Sequence, residues 1–319
     1  MARLFFAAAL ALPFALSGSP GHGGTGGAAA RVIEYETESA PYRIVVANIA
    51  GDGEPASVSV SASFAYQGGA VRVSVSNAAE GNVRLFGRTY PLLATGGGIE
   101  GFVGIGVLDP TGLTTLEVNY TDRLDAGHSQ AFDFTVLKTE WTVDYIWLPP
   151  GTGDYLDPLK IQEENDLLAT IYAGPPTAPL WDGTWTAPIA GVSQKHISGY
   201  FGEQRSFNGG PVGGHHGGTD VAVAEGTAVL ATNAGAVVLA RELFVRGNMV
   251  ILDHGGGVFS GYAHLGSIAV REGEFVAKGQ VLGTVGSTGL STGPHLHWEM
   301  AVAGILVDGL RWLDGTQGF

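Results

Sequence analysis

The feature that most limits how this chain can fold is a two-residue alternation of apolar and polar side chains, cut at short intervals by glycine. Val58, Val60, Ala62 and Phe64 form one such run, and Val71, Val73 and Val75 another. Successive side chains of a strand point to opposite faces, so this period puts the apolar groups on one face and predicts β-structure. The 51 glycines agree with it: they lack a three-residue period and cluster between Val/Ile/Leu runs, where short strands need tight turns. From Arg31 to Lys138 the pattern repeats, for example in Gly101 to Leu108 and Thr114 to Tyr120 around the turn Asp109-Pro110-Thr111-Gly112. Short strands at this spacing predict an immunoglobulin-like β-sandwich over 31–138, in which nothing catalytic stands out.

Residues 139–190 are rich in Pro, Trp and Gly and predict a linker with one helix, N-capped by Asp157, starting at Pro158 and running through Ala169. Leu159, Glu163, Asp166, Leu167 and Ile171 mix apolar and acidic groups at helical spacing, which predicts a surface helix with one buried stripe and no site. Strands return over 191–319, among them Ala228 to Thr232, Ala236 to Arg241, Met249 to His254, Phe259 to His264, Gln280 to Val285 and His295 to Ala301. The expected fold class is therefore all-β, with an antiparallel C-terminal unit.

Composition bounds the function. With 45% hydrophobic and 14% charged residues over 319 positions, the chain is folded rather than disordered and long enough for two or three units. A formal charge of −14 with no Lys/Arg run excludes nucleic acid as the expected partner, because counterion release needs a basic face. Cysteine is absent, so any metal must be held by nitrogen and oxygen ligands. Residues 1–30 read as a signal peptide: Arg3, the apolar run Leu4 to Leu16, then small residues ending Ala28-Ala29-Ala30. That run is too short to span a bilayer, so membrane association is expected only through the segment left uncleaved. Cleavage would take away Arg3 alone among charged side chains and change −14 to −15. The expected location is secreted, periplasmic or envelope-associated.

Seven of the nine histidines lie beyond Gly191: His196, His215, His216, His254, His264, His295 and His297. The segment Gly213-Gly214-His215-His216-Gly217-Gly218-Thr219-Asp220 holds an H-x-G-x-D spacing. Residues four apart on a straight strand lie roughly 13 Å apart, so for His216 and Asp220 to share one metal the chain must bend, at Gly217 and Gly218. In Pro294-His295-Leu296-His297 the period of two aims both imidazoles at one face, where a shared metal or substrate explains them better than core packing. A third segment, Tyr262-Ala263-His264-Leu265, closes a strand that follows a triple-glycine turn. His215 is a competing ligand, but only His216 has Asp220 four residues on. His254 is expected to bond backbone, His196 to lie on the surface, and Trp298 and Trp312 to be core or groove wall.

Together these segments resemble the lysostaphin-type peptidase family, also called the LytM or glycyl-glycine endopeptidase family. The resemblance covers about Ile189 to Leu313 and includes Gly199-Tyr200-Phe201-Gly202-Glu203-Gln204-Arg205, Val250-Ile251-Leu252-Asp253-His254-Gly255 and Gly286-Ser287-Thr288-Gly289 beside the three histidine motifs. It implies a β-barrel-like zinc peptidase domain of the duplicated hybrid motif type, with one zinc ion per chain on His216, Asp220 and His297, and His264 and His295 as the catalytic pair. All five positions are filled. The implied activity is hydrolysis of peptide bonds in peptidoglycan stem peptides or cross-bridges. The alternative is a non-catalytic wall-binding or amidase-regulating module of the same fold. Val270 to Gly283 also resembles the hairpin of biotin- or lipoate-bearing carrier domains, with Lys278 in place of the acceptor, but lacks the flanking motif.

Overall fold

The computed structural model describes residues 31–35, 43–47, 55–149, 151 and 153–313, with side chains from residue 55 onward except 153 and 154. The signal-peptide segment lies outside the described residues. Strands dominate, and Pro158–Tyr172 is the single α-helix among the described residues. The expected all-β class is what the structure shows, and no helix in the described residues is long and apolar enough to cross a membrane.

In the first unit ten strands form one hydrogen-bonded path. Arg88–Thr95 turns the corner in it: its first part pairs with Ala78–Leu85 and its last three residues with Gly98–Gly104. Every neighbouring pair is antiparallel except Phe64–Tyr66, which runs parallel to the end of Gly127–Leu137. The alternation read from the sequence is real, since Val58, Val60, Val71, Val73 and Val75 are all buried. The immunoglobulin-like assignment of this unit stays a proposal.

The second unit is a curled antiparallel sheet. Its strands run in the order Ile197–Gly199, Thr219–Val221, Leu296–Val302, Val258–Ile268, Gly247–Asp253, Gly235–Leu243 and Phe275–Val276. Ala228–Leu230 pairs with Val281–Val285, which returns to Val258–Ile268. Trp298, Tyr262, Met249, Ile251 and Leu252 are fully buried within it. At about 1.5–3 kcal/mol for each large apolar side chain, such a core suffices to hold a sheet that no disulfide staples. Lys278 donates to the Thr184 carbonyl, so it is not the free hairpin tip that a carrier domain presents.

The two units share a seam. Phe102 of the first packs on Trp181 and Trp312 at ring separations of 5.4 and 5.1 Å, and the Asp308 N–H donates to the Gly68 carbonyl at 2.8 Å. The connecting segment is more than a linker. Val143–Ile146 runs parallel to Gln204–Phe207, which pairs with Gly213–His215 in a small separate sheet. The helix starts where expected, with Asp157 Oδ1 accepting from the Leu159 N–H at 2.9 Å. Its buried line, however, is Glu164, Leu168 and Tyr172, one residue away from the predicted stripe, and Leu159 is 76% exposed.

His254 behaves as a structural histidine: Nδ1 donates to the Ala234 carbonyl and Nε2 meets Ser260 Oγ, both at 2.7 Å. Burial pushes its pKa down to about 4. Because an unfolded histidine titrates near 6.5, the unfolded chain takes up the extra proton first; the stability from the neutral ring is present above that pH and lost as pH falls toward 4. His254→Asn should lower stability at neutral pH yet flatten its decline between about pH 6.5 and 4, as read by urea unfolding. A decline as steep as the wild type's would refute this role.

Candidate metal centre

Asp220 and His297 sit directly opposite each other on the adjacent strands Thr219–Val221 and Leu296–Val302. Cross-strand partners share a face, so the ladder alone brings their side chains together. His216 arrives from the small sheet, one residue beyond Gly213–His215, and the chain bends at Gly217-Gly218 as expected. Gly218 is needed for close approach: a Cβ there would lie 2.4 Å from the Trp298 carbonyl and 2.9 Å from His297 Cε1. Neither glycine of the bend adopts a positive φ.

Each of the three side chains has one polar atom committed outward. His216 Nδ1 is 2.9 Å from the Tyr200 carbonyl, which can only accept, so this nitrogen carries the proton and Nε2 is left bare. His297 Nε2 donates to Glu299 Oε1 at 2.9 Å, leaving Nδ1 bare. Asp220 Oδ2 accepts from Arg205 Nη2 at 2.5 Å, leaving Oδ1. The three bare atoms lie 2.8 Å (His297 Nδ1 to Asp220 Oδ1), 2.9 Å (His216 Nε2 to His297 Nδ1) and 3.1 Å (His216 Nε2 to Asp220 Oδ1) apart. Three lone-pair donors aimed at one buried point repel one another unless a cation lies among them. Ligands of a tetrahedral zinc ion are spaced about 3.4 Å, so a small outward shift fits the ion.

The electrostatics favour positive charge at that point. Burial opposes ionisation of Asp220, but the His216 and His297 rings outweigh it and hold the carboxyl well below its usual range. Burial also opposes charge on His297, yet the Asp220 and Glu299 carboxylates raise its pKa. His216, where burial dominates, is pushed down.

The structure brings His264 and His295 to the same place. Their rings are 4.7 Å apart, and His295 Nε2 is 3.8 Å from Asp220 Oδ1. Both bind backbone through Nδ1, His264 to the Thr288 carbonyl and His295 to the Gly293 carbonyl, each at 2.8 Å, so both keep a bare Nε2. His264 does not close its strand as expected; Val258–Ile268 runs on past it. The register against Gly247–Asp253 slips by one between the pairs Val250–Tyr262 and Asn248–Leu265, and His264 occupies the bulge at φ 58°. A bulge with a left-handed residue re-aims a side chain. Burial, then the His295 and His297 rings, push the His264 pKa down to about 3.

All five predicted residues therefore meet, and His215 does not join them; its Nδ1 donates to the Gly202 carbonyl at 2.7 Å. Sequence reasoning missed Arg205, which lies inside a quoted motif, and Glu299, which lies two residues past one. Glu299 repeats the period of two after His295 and His297, and that was the available signal.

The profile of peptidase family M23 matches residues 214–309. These residues are a peptidase family M23 domain. The M23 domain is 42% identical over 96 residues to the peptidoglycan DD-endopeptidase ShyA of Vibrio cholerae, which is 30% of this chain and 22% of that protein. The murein hydrolase activator NlpD of Salmonella dublin is 34% identical over 159 residues, 48% of this chain and 42% of that one. The chain thus spans less than half the length of these curated relatives. A crystal structure from Pseudomonas aeruginosa, described as a candidate M23 peptidase, superposes with a TM-score of 0.51 and 27% identity, covering 76% of this chain and 92% of that one.

Because Gly218 leaves the room in which His297 lies, Gly218→Ala should weaken zinc binding by about tenfold or more while the protein stays folded. Chelator competition alongside circular dichroism checks this, and unchanged zinc affinity would show that the close approach does not matter.

Proposed function

We propose that the chain is a zinc metalloendopeptidase that hydrolyses peptide bonds in peptidoglycan, with the M23 domain as its catalytic unit. The observation that carries this reading is the convergence of three bare ligand atoms and two further bare imidazole nitrogens in one open cleft of roughly 680 Å³. Three protein ligands are the pattern of catalytic zinc, since a structural site takes four. His216, Asp220 and His297 would hold the ion, which when bound supplies a Lewis acid for the scissile carbonyl and acidifies water. Arg205 keeps Asp220 Oδ2 occupied so that only Oδ1 faces the centre.

His264 and His295 do the proton work. Each has Nδ1–H tied to a carbonyl and Nε2 free, so each is oriented as an acceptor for the proton of the attacking water. The ring that takes the proton becomes a donor able to return it to the leaving amine. The substrate peptide enters along the strand Val143–Ile146, from which Tyr145 and the following Trp147 project into the same cleft, 64% and 72% exposed. The names of the curated relatives support a peptidoglycan substrate, and the signal-like N-terminus supports export. The activator relative supports a second reading, in which the module docks on the wall and regulates a hydrolase without cutting.

Chelation should abolish release of soluble peptides from purified peptidoglycan, and added zinc should restore it; a metal-loaded protein inert on every sacculus type would favour the regulatory reading. His295→Ala should keep near-normal zinc but lose about 100-fold or more in turnover, whereas His297→Ala should lose both. Equal zinc loss in the two variants would sink the division of roles. In a pH–rate profile activity should fall with falling pH first through His297, whose raised pKa lets a proton compete for Nδ1, and not through His264, which is held down to about 3. Trp147→Ala should raise KM more than it lowers kcat, and an unchanged KM would remove this strand from the binding surface.

A further inference from the structure

The helix Pro158–Tyr172 belongs to the segment that the sequence marks only as a linker, yet its buried line lies against the strands that carry the metal centre. Leu168 and Tyr172 pack with Met249, Ile251, Phe259 and Ala301. Two polar groups on the same line reach further. Tyr172 Oη donates to Glu299 Oε2 at 2.6 Å, and the other oxygen of that carboxylate accepts from His297. Glu164 accepts from the backbone N–H groups of Val245 and Arg246 at 2.7 and 3.1 Å and from Arg246 Nη1 at 3.0 Å. Arg246 Nε then donates to Glu299 Oε1 at 2.9 Å, while the Arg246 carbonyl accepts the N–H of His264 at 2.8 Å.

The helix thus reaches both kinds of residue at the centre. Through Arg246 and Glu299 it fixes the acceptor that sets the tautomer of His297. Through the backbone at Arg246 it anchors the bulge that aims His264. Packing alone does not explain these groups, because a buried ion pair is often no more stabilising than apolar side chains of the same volume. Glu299 is fully buried and Glu164 nearly so. Room is also kept for the tyrosine hydroxyl: a Cβ on Gly261 would lie 2.5 Å from Tyr172 Oη.

We propose that Glu164 and Tyr172 are positioning residues of the metal centre, so that the linker helix is a working part of the zinc site. The inference rests on reading His216, Asp220 and His297 as zinc ligands. Loss of the Tyr172 hydroxyl frees one oxygen of Glu299, and loss of the Glu164 charge frees Arg246; in either case the carboxylate no longer holds His297 in one orientation.

The test measures zinc affinity of the full chain by competition with a chromogenic chelator, together with the thermal midpoint of the metal-free protein. Tyr172→Phe keeps the ring against Phe259 and should weaken zinc binding by about 10- to 100-fold. Glu164→Gln keeps the side-chain shape and should weaken it in the same direction. The double variant should lose less than the product of the two, because both act through Glu299. Zinc affinity within about twofold of wild type in both single variants, whatever their midpoints, would overturn the proposal and leave the helix a packing element. A wild-type protein that binds no zinc would overturn the metal reading itself, an outcome distinct from that one.

Discussion

Asp220 and His297 face one another across two hydrogen-bonded strands, and the candidate centre is assembled around that pairing. The ladder holds a carboxylate and an imidazole at 2.8 Å without help from either side chain's flexibility. A third group, His216, is carried to the same point from another sheet. The cost of gathering three lone pairs in a buried place is offset by the partners behind them: the Tyr200 carbonyl, Arg205 and Glu299 each occupy the far side of one ligand. Those partners decide which atom faces inward, and a carboxylate oxygen with two imidazole nitrogens is a donor set that a metal ion would take.

The segment between the two β units flanks the cleft on two sides. Its strand sets Tyr145 at the rim and leads into Trp147, and its helix buries Glu164 and Tyr172 behind Glu299. None of its described residues belongs to the three-residue group that could hold a metal, yet Tyr145 and Trp147 line the cleft and Tyr172 bonds to the carboxylate behind His297. The first unit is joined to the second through Phe102, Trp181 and Trp312, so the wall of the cleft is anchored to a body larger than the M23 domain.

Four of the five candidate residues were legible because each stands in a local motif whose spacing has a geometric meaning: H-x-G-x-D needs a bend, and H-x-H on a strand shares a face. His264 was legible only through its company. Its aim comes from a bulge, which depends on the register of a partner strand 14 or more residues away and leaves no mark in its own neighbours. The helix was placed correctly at its start because capping is local, and its buried face was missed by one residue because Glu164, an acidic group, replaces the apolar residue that a periodicity argument counts on.

By itself the sequence determined that the chain is all-β, where its one helix starts, and which five side chains beyond Gly191 to expect together. These are matters of period, turn chemistry and donor type, and all act over a few residues. Only the tertiary structure decided which atom of His216, Asp220 and His297 faces the centre, that Arg205 and Glu299 stand behind them, and that the segment between the two units reaches Glu299. Those facts depend on contacts such as Tyr172 with Glu299, 127 residues apart, which packing creates and no local pattern encodes.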